Sequence, residues 1–351
     1  MEIHLIGPLP PPFGGVSVHI ARLRKRLLRA GHTCVVWSHE ARPTENVCAA
    51  GSLRQMHGAL RKVSRSSILH FHENHLLAGL MAAQGRKVVF TVHNERVNTD
   101  LRGGRFPLVW LHHRVARRCF LKVGCVIAIS EWVRDELVKF GFDRRVIRVV
   151  CSYLRPEEDE AAHPANMAAF LAFRQRFGQV VTASAWALRF FRGEDLYGID
   201  LSVEMMGRLK DRHPDLGLVL VLPGSAGEPY LAELQRRAEA LGIGERILWL
   251  LESGAYHPIQ RACELVLRPT NTDGFGVVMA EAMEFGVPVI ASDAVHRPAA
   301  CVLFRNRDAA DLAEKVSEAL ADLSALRERV AAQKERDHFD EVCAVYEEFA
   351  G

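Results

Sequence analysis

The chain has 351 residues, 49% hydrophobic and 25% charged, with a formal net charge of +3, which points to a soluble globular protein of two domains. No apolar run approaches the ~20 residues that span a bilayer, no signal peptide precedes the strand-like Glu2–Gly7, and the eight scattered cysteines form no Cys-x-x-Cys pair. A zinc site or disulfide framework is therefore not expected, and a reducing cytoplasm fits best.

The small net charge hides a division. Residues 1–150 hold 24 Lys and Arg against 10 Asp and Glu, whereas the remainder holds 21 against 32. A basic first half implies an anionic partner: nucleic acid, anionic lipid or a phosphorylated substrate.

The first half alternates strands and helices. Glu2–Gly7 reads as a buried strand, Pro8–Gly15 as a loop, and Val16–Ala30 as an amphipathic helix with Val16, Ile20, Leu23 and Leu27 inward. Thr33–Trp37 follows as a strand, so Gly14-Gly15 stands just before the helix of a βαβ unit. G-x-G-x-x-G is absent; the glycine pair suits either a tight turn or close approach of the backbone to a phosphate. Strands are expected at Ser67–Phe71, Lys87–Val92, Cys125–Ser130 and Arg148–Cys151, with helices at Leu76–Gln84 and Glu131–Phe140. Such alternation implies a parallel, doubly wound sheet, whose ligands bind beyond the carboxyl ends of the strands. His72, His93 and Ser130 stand at such ends. His70, His72 and His75 lack the carboxylates of a familiar metal site, and no metal is expected there. Arg102–Lys122 mixes Arg and Lys with Phe106, Trp110 and Phe120, a pattern of either a solvated helix face or an element at an anionic membrane surface.

Glu157–Pro164 is acidic and irregular and reads as a linker. Alternation then resumes with strands at Val180–Trp186, Gly217–Leu222 and Arg246–Leu250, helices at Leu201–Arg212 and Tyr230–Leu241, and terminal helices at Ala309–Leu323 and Ala331–Phe349. Between them lies the most distinctive stretch, Glu264–Asp293: strand, glycine-bearing turn, short helix Val277–Phe285, strand. The helix is apolar almost all round and should be buried. It contains Glu281, whose buried carboxylate needs a polar partner: a backbone amide, a nearby Arg or a ligand hydroxyl. Asp273 is either an ordinary N-cap or a ligand-facing acid. Gly274 and Gly276 let the backbone come close to an anion at the helix N-terminus.

With these residues together, the chain resembles the family 4 glycosyltransferases of the GT-B fold. The similarity rests on Asp273-Gly274-Phe275-Gly276, Glu281-Ala282 and Gly286-Val287-Pro288-Val289-Ile290-Ala291-Ser292-Asp293. Gly14-Gly15-Val16, Gly31-His32 and Thr91-Val92-His93 fall in the matching order. The resemblance implies an α/β chain of two Rossmann-like doubly wound domains facing across a cleft. Residues 1–160 would form the acceptor side and 161–330 the nucleotide-sugar side, with 331–351 as a helix packing back toward the first domain. It implies a retaining, metal-independent transferase with no cofactor. The donor would be a nucleotide-diphosphate sugar, and the acceptor a glycan or a polyprenyl-diphosphate-linked precursor in bacterial surface-polysaccharide synthesis. The enzyme would be cytoplasmic, with the basic domain at the inner membrane face, and would bind no nucleic acid.

By the same resemblance Glu281 would hold the ribose, Asp273 would lie near the donor sugar, and His93 would line the donor–acceptor junction. Gly14 and Gly15 would approach the diphosphate, with Gly274, Phe275 and Gly276 beside the donor. Two departures stand out. The leading Glu of the family element is Asp273, shorter by one methylene, and Tyr197 replaces the lysine expected before Gly198. Arg189 or Arg192 would then supply one charge to the diphosphate, with Arg268 and Arg297 flanking the acidic element as a further source. The shortened acid and missing lysine also fit a catalytically weak partner subunit that binds a sugar nucleotide or glycan. A sugar-nucleotide epimerase on the same architecture is a third reading.

Overall fold

The computed structural model describes residues 1–11, 13–39, 44–93, 107–333 and 336–350. The chain divides into two compact units. The first comprises residues 1–10, 14–154 and 337–351; the second comprises 11–13 and 155–336.

In the first unit, seven strands form one sheet: β1 Glu2–Ile6, β2 Thr33–Ser38, β3 Val47–Ala49, β4 Ile68–Phe71, β5 Lys87–Val92, β6 Cys125–Ala128 and β7 Ile147–Val149. Their order is β3-β2-β1-β4-β5-β6-β7, and every pairing is parallel. Strands β4 and β6 are buried at every residue, which is why they read as continuous apolar runs and not as alternating ones. The chain runs outward from β1 to β3 and then returns to β4 on the other side, so the sheet switches direction between β1 and β4. Helix Gly15–Arg29 bridges β1 and β2 and buries Ile20, Leu23 and Leu27. The last helix, Phe339–Ala350, adds Val342, Val345 and Tyr346 to the same core as Ile3, Leu5 and Val89.

The second unit repeats the plan. Its sheet contains β8 Gln179–Ser184, β11 Leu216–Val221, β12 Ile247–Leu250, β13 Leu265–Arg268, β14 Val289–Ser292 and β15 Val302–Phe304. The order is β12-β11-β8-β13-β14-β15, again wholly parallel, with the switch between β8 and β13. A small antiparallel hairpin, β9 Phe190–Phe191 and β10 Glu194–Asp195, follows β8. The fold class is thus α/β with two Rossmann-like parallel-sheet units.

Several local features depart from the sequence expectation. The acidic run 157–164 is not simply a solvated linker. Glu157 is buried, and Pro164 opens a helix, Pro164–Arg174, with the His163 ring accepting from the Ala165 amide. Proline at a helix start costs no backbone bond, and Phe170 and Phe173 then pack against Phe177. Strands β3 and β15 and the hairpin also lack a sequence signal, because each strand has only two or three residues, too few to show a period. Of the basic–aromatic stretch, residues 102–106 lie outside the described residues. Helix Pro107–Phe120 is amphipathic, and its Arg117 donates to the Phe140 carbonyl at 2.6 Å. Among the described residues no helix is long and apolar enough to cross a membrane.

Candidate functional site

In each unit the chemistry-bearing residues gather where the sheet changes direction, the position at which open α/β sheets bind ligands. In the first unit, the β1 strand leads through Gly7 to the Gly14-Gly15 turn. Gly14 is the N-cap of helix Gly15–Arg29 and has no side chain of its own to cap that terminus. Ser17 bonds back to both the amide and the carbonyl of Gly14, at 3.0 and 3.1 Å. A Cβ on Gly15 would meet nothing within 4 Å, so its backbone faces open space. A Cβ on Gly7 would strike Ile20 at 2.5 Å and His72 at 3.3 Å; glycine there lets β1 run tightly beside the end of β4.

Four histidines cluster at these strand ends. His72 follows β4, His93 follows β5, His70 lies within β4, and His19 comes from the first helix. His72 Nδ1 and His93 Nε2 share a hydrogen bond of 2.9 Å. His19 Nδ1 lies 2.8 Å from the Ser152 carbonyl. Both nitrogens of His70 are occupied, by Tyr346 Oη at 2.5 Å and Thr91 Oγ1 at 2.7 Å. Burial pushes the His19 ring down to about 4 and holds His70, His72 and His93 well below the ordinary imidazole value. All four are neutral at pH 7. The sequence pointed to His72 and His93 but missed His19, which sits on a helix face that otherwise reads as plain core.

In the second unit, β13 ends at Arg268 and the loop Thr270–Gly276 leads into helix Val277–Glu284. Asp273 Oδ2 accepts from Arg268 Nε at 2.8 Å and from Arg297 Nη1 at 3.0 Å, with Thr270 Oγ1 at 3.4 Å. Its Oδ1 accepts from the Gly274 amide at 3.1 Å. Burial raises the carboxyl's affinity for a proton, but the two guanidiniums outweigh it and hold the group down to about 2. Asp273 is therefore an anchored anion between two cations, with few lone pairs left for a sugar.

The two arginines differ. Arg297 is 5% exposed and fully engaged: Nε donates to the Ser292 carbonyl at 3.0 Å, and Nη2 donates to Thr270 Oγ1 at 2.8 Å and Ser292 Oγ at 3.1 Å. Arg268 spends only Nε on Asp273. Its two terminal nitrogens make no hydrogen bond to any described residue, and its guanidinium lies over the Tyr197 ring, 5.6 Å from the centroid. Two guanidiniums and one carboxylate leave a net charge of +1 at the carboxyl end of β13, beside the β8/β13 switch.

Tyr197 is held in place by Asp195, which is buried and accepts from the amides of Tyr197, Gly198, Ile199 and Asp200 at 2.9 to 3.3 Å. Gly198 has φ +65°, and a Cβ there would fall 2.2 Å from the Pro269 carbonyl; only glycine lets this loop press on β13's end. Arg189 and Arg192 are exposed and stack on Trp186 and Phe191 of their own loop, at 5.2 Å each. Neither reaches Asp273. Gly276, at φ +74°, is the N-cap of the helix, with no side-chain cap, and Phe275 beside it is half-buried. Glu281 is 6% exposed, on the second turn of that helix.

Comparison with known proteins follows the same two halves. A family model described as Glycosyltransferase Family 4 matches residues 13–157, and one described as Glycosyl transferases group 1 matches residues 190–337. A lipopolysaccharide core biosynthesis mannosyltransferase, LpsB of Rhizobium meliloti, is 38% identical over 99 residues, covering 27% of this chain and 28% of that protein. A GDP-mannose-dependent alpha-(1-6)-phosphatidylinositol monomannoside mannosyltransferase of Mycolicibacterium smegmatis is 29% identical over 228 residues, covering 60% and 53%. The chain thus matches between about a quarter and a half of the length of these curated relatives. Among solved structures, Anabaena Alr3699/HepE in complex with UDP and glucose superposes with a TM-score of 0.74 at 16% identity, covering 99% of this chain and 100% of that one. WaaG, a glycosyltransferase involved in lipopolysaccharide biosynthesis, gives 0.69 at 14% identity, covering 98% and 99%. Matched in both halves to glycosyltransferase models and built on two parallel-sheet units, the chain belongs to the family 4 glycosyltransferases of the GT-B fold.

Proposed function

We propose that this chain is a retaining, metal-independent glycosyltransferase that moves a sugar from a nucleotide-diphosphate sugar to a glycan or lipid-linked acceptor. The observation that carries this reading is the Arg268–Asp273–Arg297 cluster. A fully engaged Arg297 and an anchored Asp273 fix Arg268, whose terminal nitrogens are left for a ligand. A planar guanidinium whose two terminal nitrogens remain to donate suits a diphosphate. The uncapped N-terminus of helix Val277–Glu284 adjoins it and favours the same charge.

The lysine expected before Gly198 is Tyr197, yet the Arg268 guanidinium lies over that ring. The cation has changed its place in the sequence more than its place in the loop, which favours an active transferase over a binding-only subunit. In the transfer, the bond between the sugar's anomeric carbon and the diphosphate oxygen breaks. The acceptor hydroxyl oxygen bonds to that carbon from the same face, and its proton goes to the departing phosphate. Arg268 neutralises the leaving group, Glu281 receives the ribose hydroxyls, and His93 positions the sugar in its neutral form. The LpsB and M. smegmatis relatives are named as mannosyltransferases acting in lipopolysaccharide and glycolipid synthesis, which supports an acceptor of that class. The strongly basic first 150 residues support an anionic membrane surface as its setting.

A panel of nucleotide diphosphates and their sugars, read by thermal shift and then by transfer to lipid-linked acceptors, tests the proposal. One nucleotide should stabilise the chain selectively, and Glu281→Gln should abolish transfer while the fold persists. Near-normal turnover by Glu281→Gln, or no nucleotide-dependent shift at millimolar ligand, would overturn the assignment.

A further inference from the structure

The histidines of the first unit form a figure that sugar transfer does not explain. The ring centres of His19, His72 and His93 lie 5.4, 5.3 and 5.2 Å apart, a nearly equilateral triangle. One ring nitrogen from each falls within 4.8 Å of the other two. Imidazole nitrogens bind zinc at ~2.0–2.1 Å, which puts each ring centre ~3.2 Å from the ion, and tetrahedral angles then separate the ring centres by ~5.2 Å. The observed triangle has that size before any ion is considered.

Three further observations support a cation. His19 Nδ1 is held by the Ser152 carbonyl, so the ring is oriented and its Nε2 lone pair is free, the outer-shell arrangement common to metal-bound histidines. His72 is 7% exposed, and its Nδ1 faces His93 Nε2 at 2.9 Å, so these two nitrogens already stand within ~0.4 Å of the spacing around a tetrahedral ion. His70, packed 4.2 Å behind His72, has both nitrogens engaged and acts as a fixed backing.

We propose that His19, His72 and His93 form a three-imidazole site for a divalent transition-metal ion of the zinc class. The ligand set has no carboxylate or thiolate, which favours Zn²⁺, Cu²⁺ or Ni²⁺ over Mg²⁺ or Ca²⁺. The His72–His93 hydrogen bond of 2.9 Å opens slightly as the ion enters, since nitrogens around a tetrahedral centre stand ~3.3 Å apart. The fourth position is left for water or a substrate oxygen. Because His93 is one of the ligands, an ion here competes with the role given to that ring in sugar transfer, so the site is inhibitory and not catalytic.

The test uses the untagged, metal-free full chain. Titration with Zn²⁺ by calorimetry should show one ion per chain, and Co²⁺ should give the intense visible bands of a tetrahedral nitrogen site. His19→Gln and His72→Gln should each weaken Zn²⁺ binding at least tenfold and abolish the cobalt bands, whereas His213→Gln, in the second unit, should change neither. Circular dichroism establishes that each variant is folded. If His72→Gln does not fold, His19→Gln decides alone, since it removes a ligand from the edge of the triangle. Absence of saturable one-to-one binding, an octahedral cobalt spectrum, or unaltered affinity in His19→Gln would overturn the site. These readouts need no donor or acceptor, so their outcome is independent of whether the chain transfers sugar.

Discussion

Asp273→Asn isolates the electrostatics of the second unit. The substitution keeps shape and removes one charge from between two guanidiniums, one of them with a side chain 1% exposed. Breaking a buried ion pair from one side typically costs about 3–5 kcal/mol, because the remaining charge has no counter-ion. The carboxyl's own titration gives a second figure: a fall from 3.8 to about 2 corresponds to about 2.5 kcal/mol, net of the carboxylate's desolvation. The expected loss is therefore about 2.5–5 kcal/mol in urea unfolding at pH 7. Arg297→Met alone should also destabilise, but Asp273→Asn with Arg297→Met should cost clearly less than the sum of the two, since the second change relieves the repulsion left by the first. The pH dependence has a definite sign. A carboxyl with a depressed folded pKa stabilises above its unfolded value, and that contribution is lost as the pH falls from about 4 through about 2. Wild type should show this loss and Asp273→Asn should not. A single-variant cost below ~0.5 kcal/mol, or strict additivity in the double variant, would refute the view of Asp273 as the anchor of this cluster.

Three other outcomes follow from the same geometry. Arg268→Met should weaken binding of the nucleotide diphosphate at least tenfold in calorimetry with little change in unfolding midpoint relative to Asp273→Asn, and Arg268→Lys should restore only part of the affinity, because a point charge replaces a fork. Gly198→Ala should destabilise by at least ~2 kcal/mol, from a left-handed backbone that costs ~1–2 kcal/mol for an L-residue plus contact with the Pro269 carbonyl, measured as a urea midpoint. His19 titrates near 4 in the folded chain and near 6.5 unfolded; the unfolded state therefore binds more protons between those values. Stability should fall by about 3 kcal/mol as the pH drops from 6.5 to 4, and His19→Gln should flatten that slope.

The sequence showed the parallel-sheet plan because buried parallel strands read as unbroken apolar runs and their turns carry glycine. It also showed that the carboxylate of Glu281 is buried, because an acid in an apolar helix is an anomaly visible without coordinates. What it did not show was partnership. Arg268 and Arg297 stand 29 residues apart, and only the pairing of β13 with β14 brings them to one carboxylate. That Arg189 and Arg192 stack on Trp186 and Phe191 was not legible either, because the hairpin beside them has strands of two residues and leaves no period to read. His19 was hidden for a different reason: one polar residue on an amphipathic helix looks like noise until the strand ends it faces are known.

The final helix has a consequence for how the chain matures. Tyr346 is wholly buried, supplies the hydroxyl on His70, and belongs to the core formed by β1, β4 and β5. The first unit is thus closed by residues 337–351, which are made after the whole of 155–336. On the ribosome the usual order of completion is inverted: residues 155–336 emerge while His70 still lacks the hydroxyl of Tyr346. Loss of residues 337–351 would then leave the second unit foldable and the first unfinished.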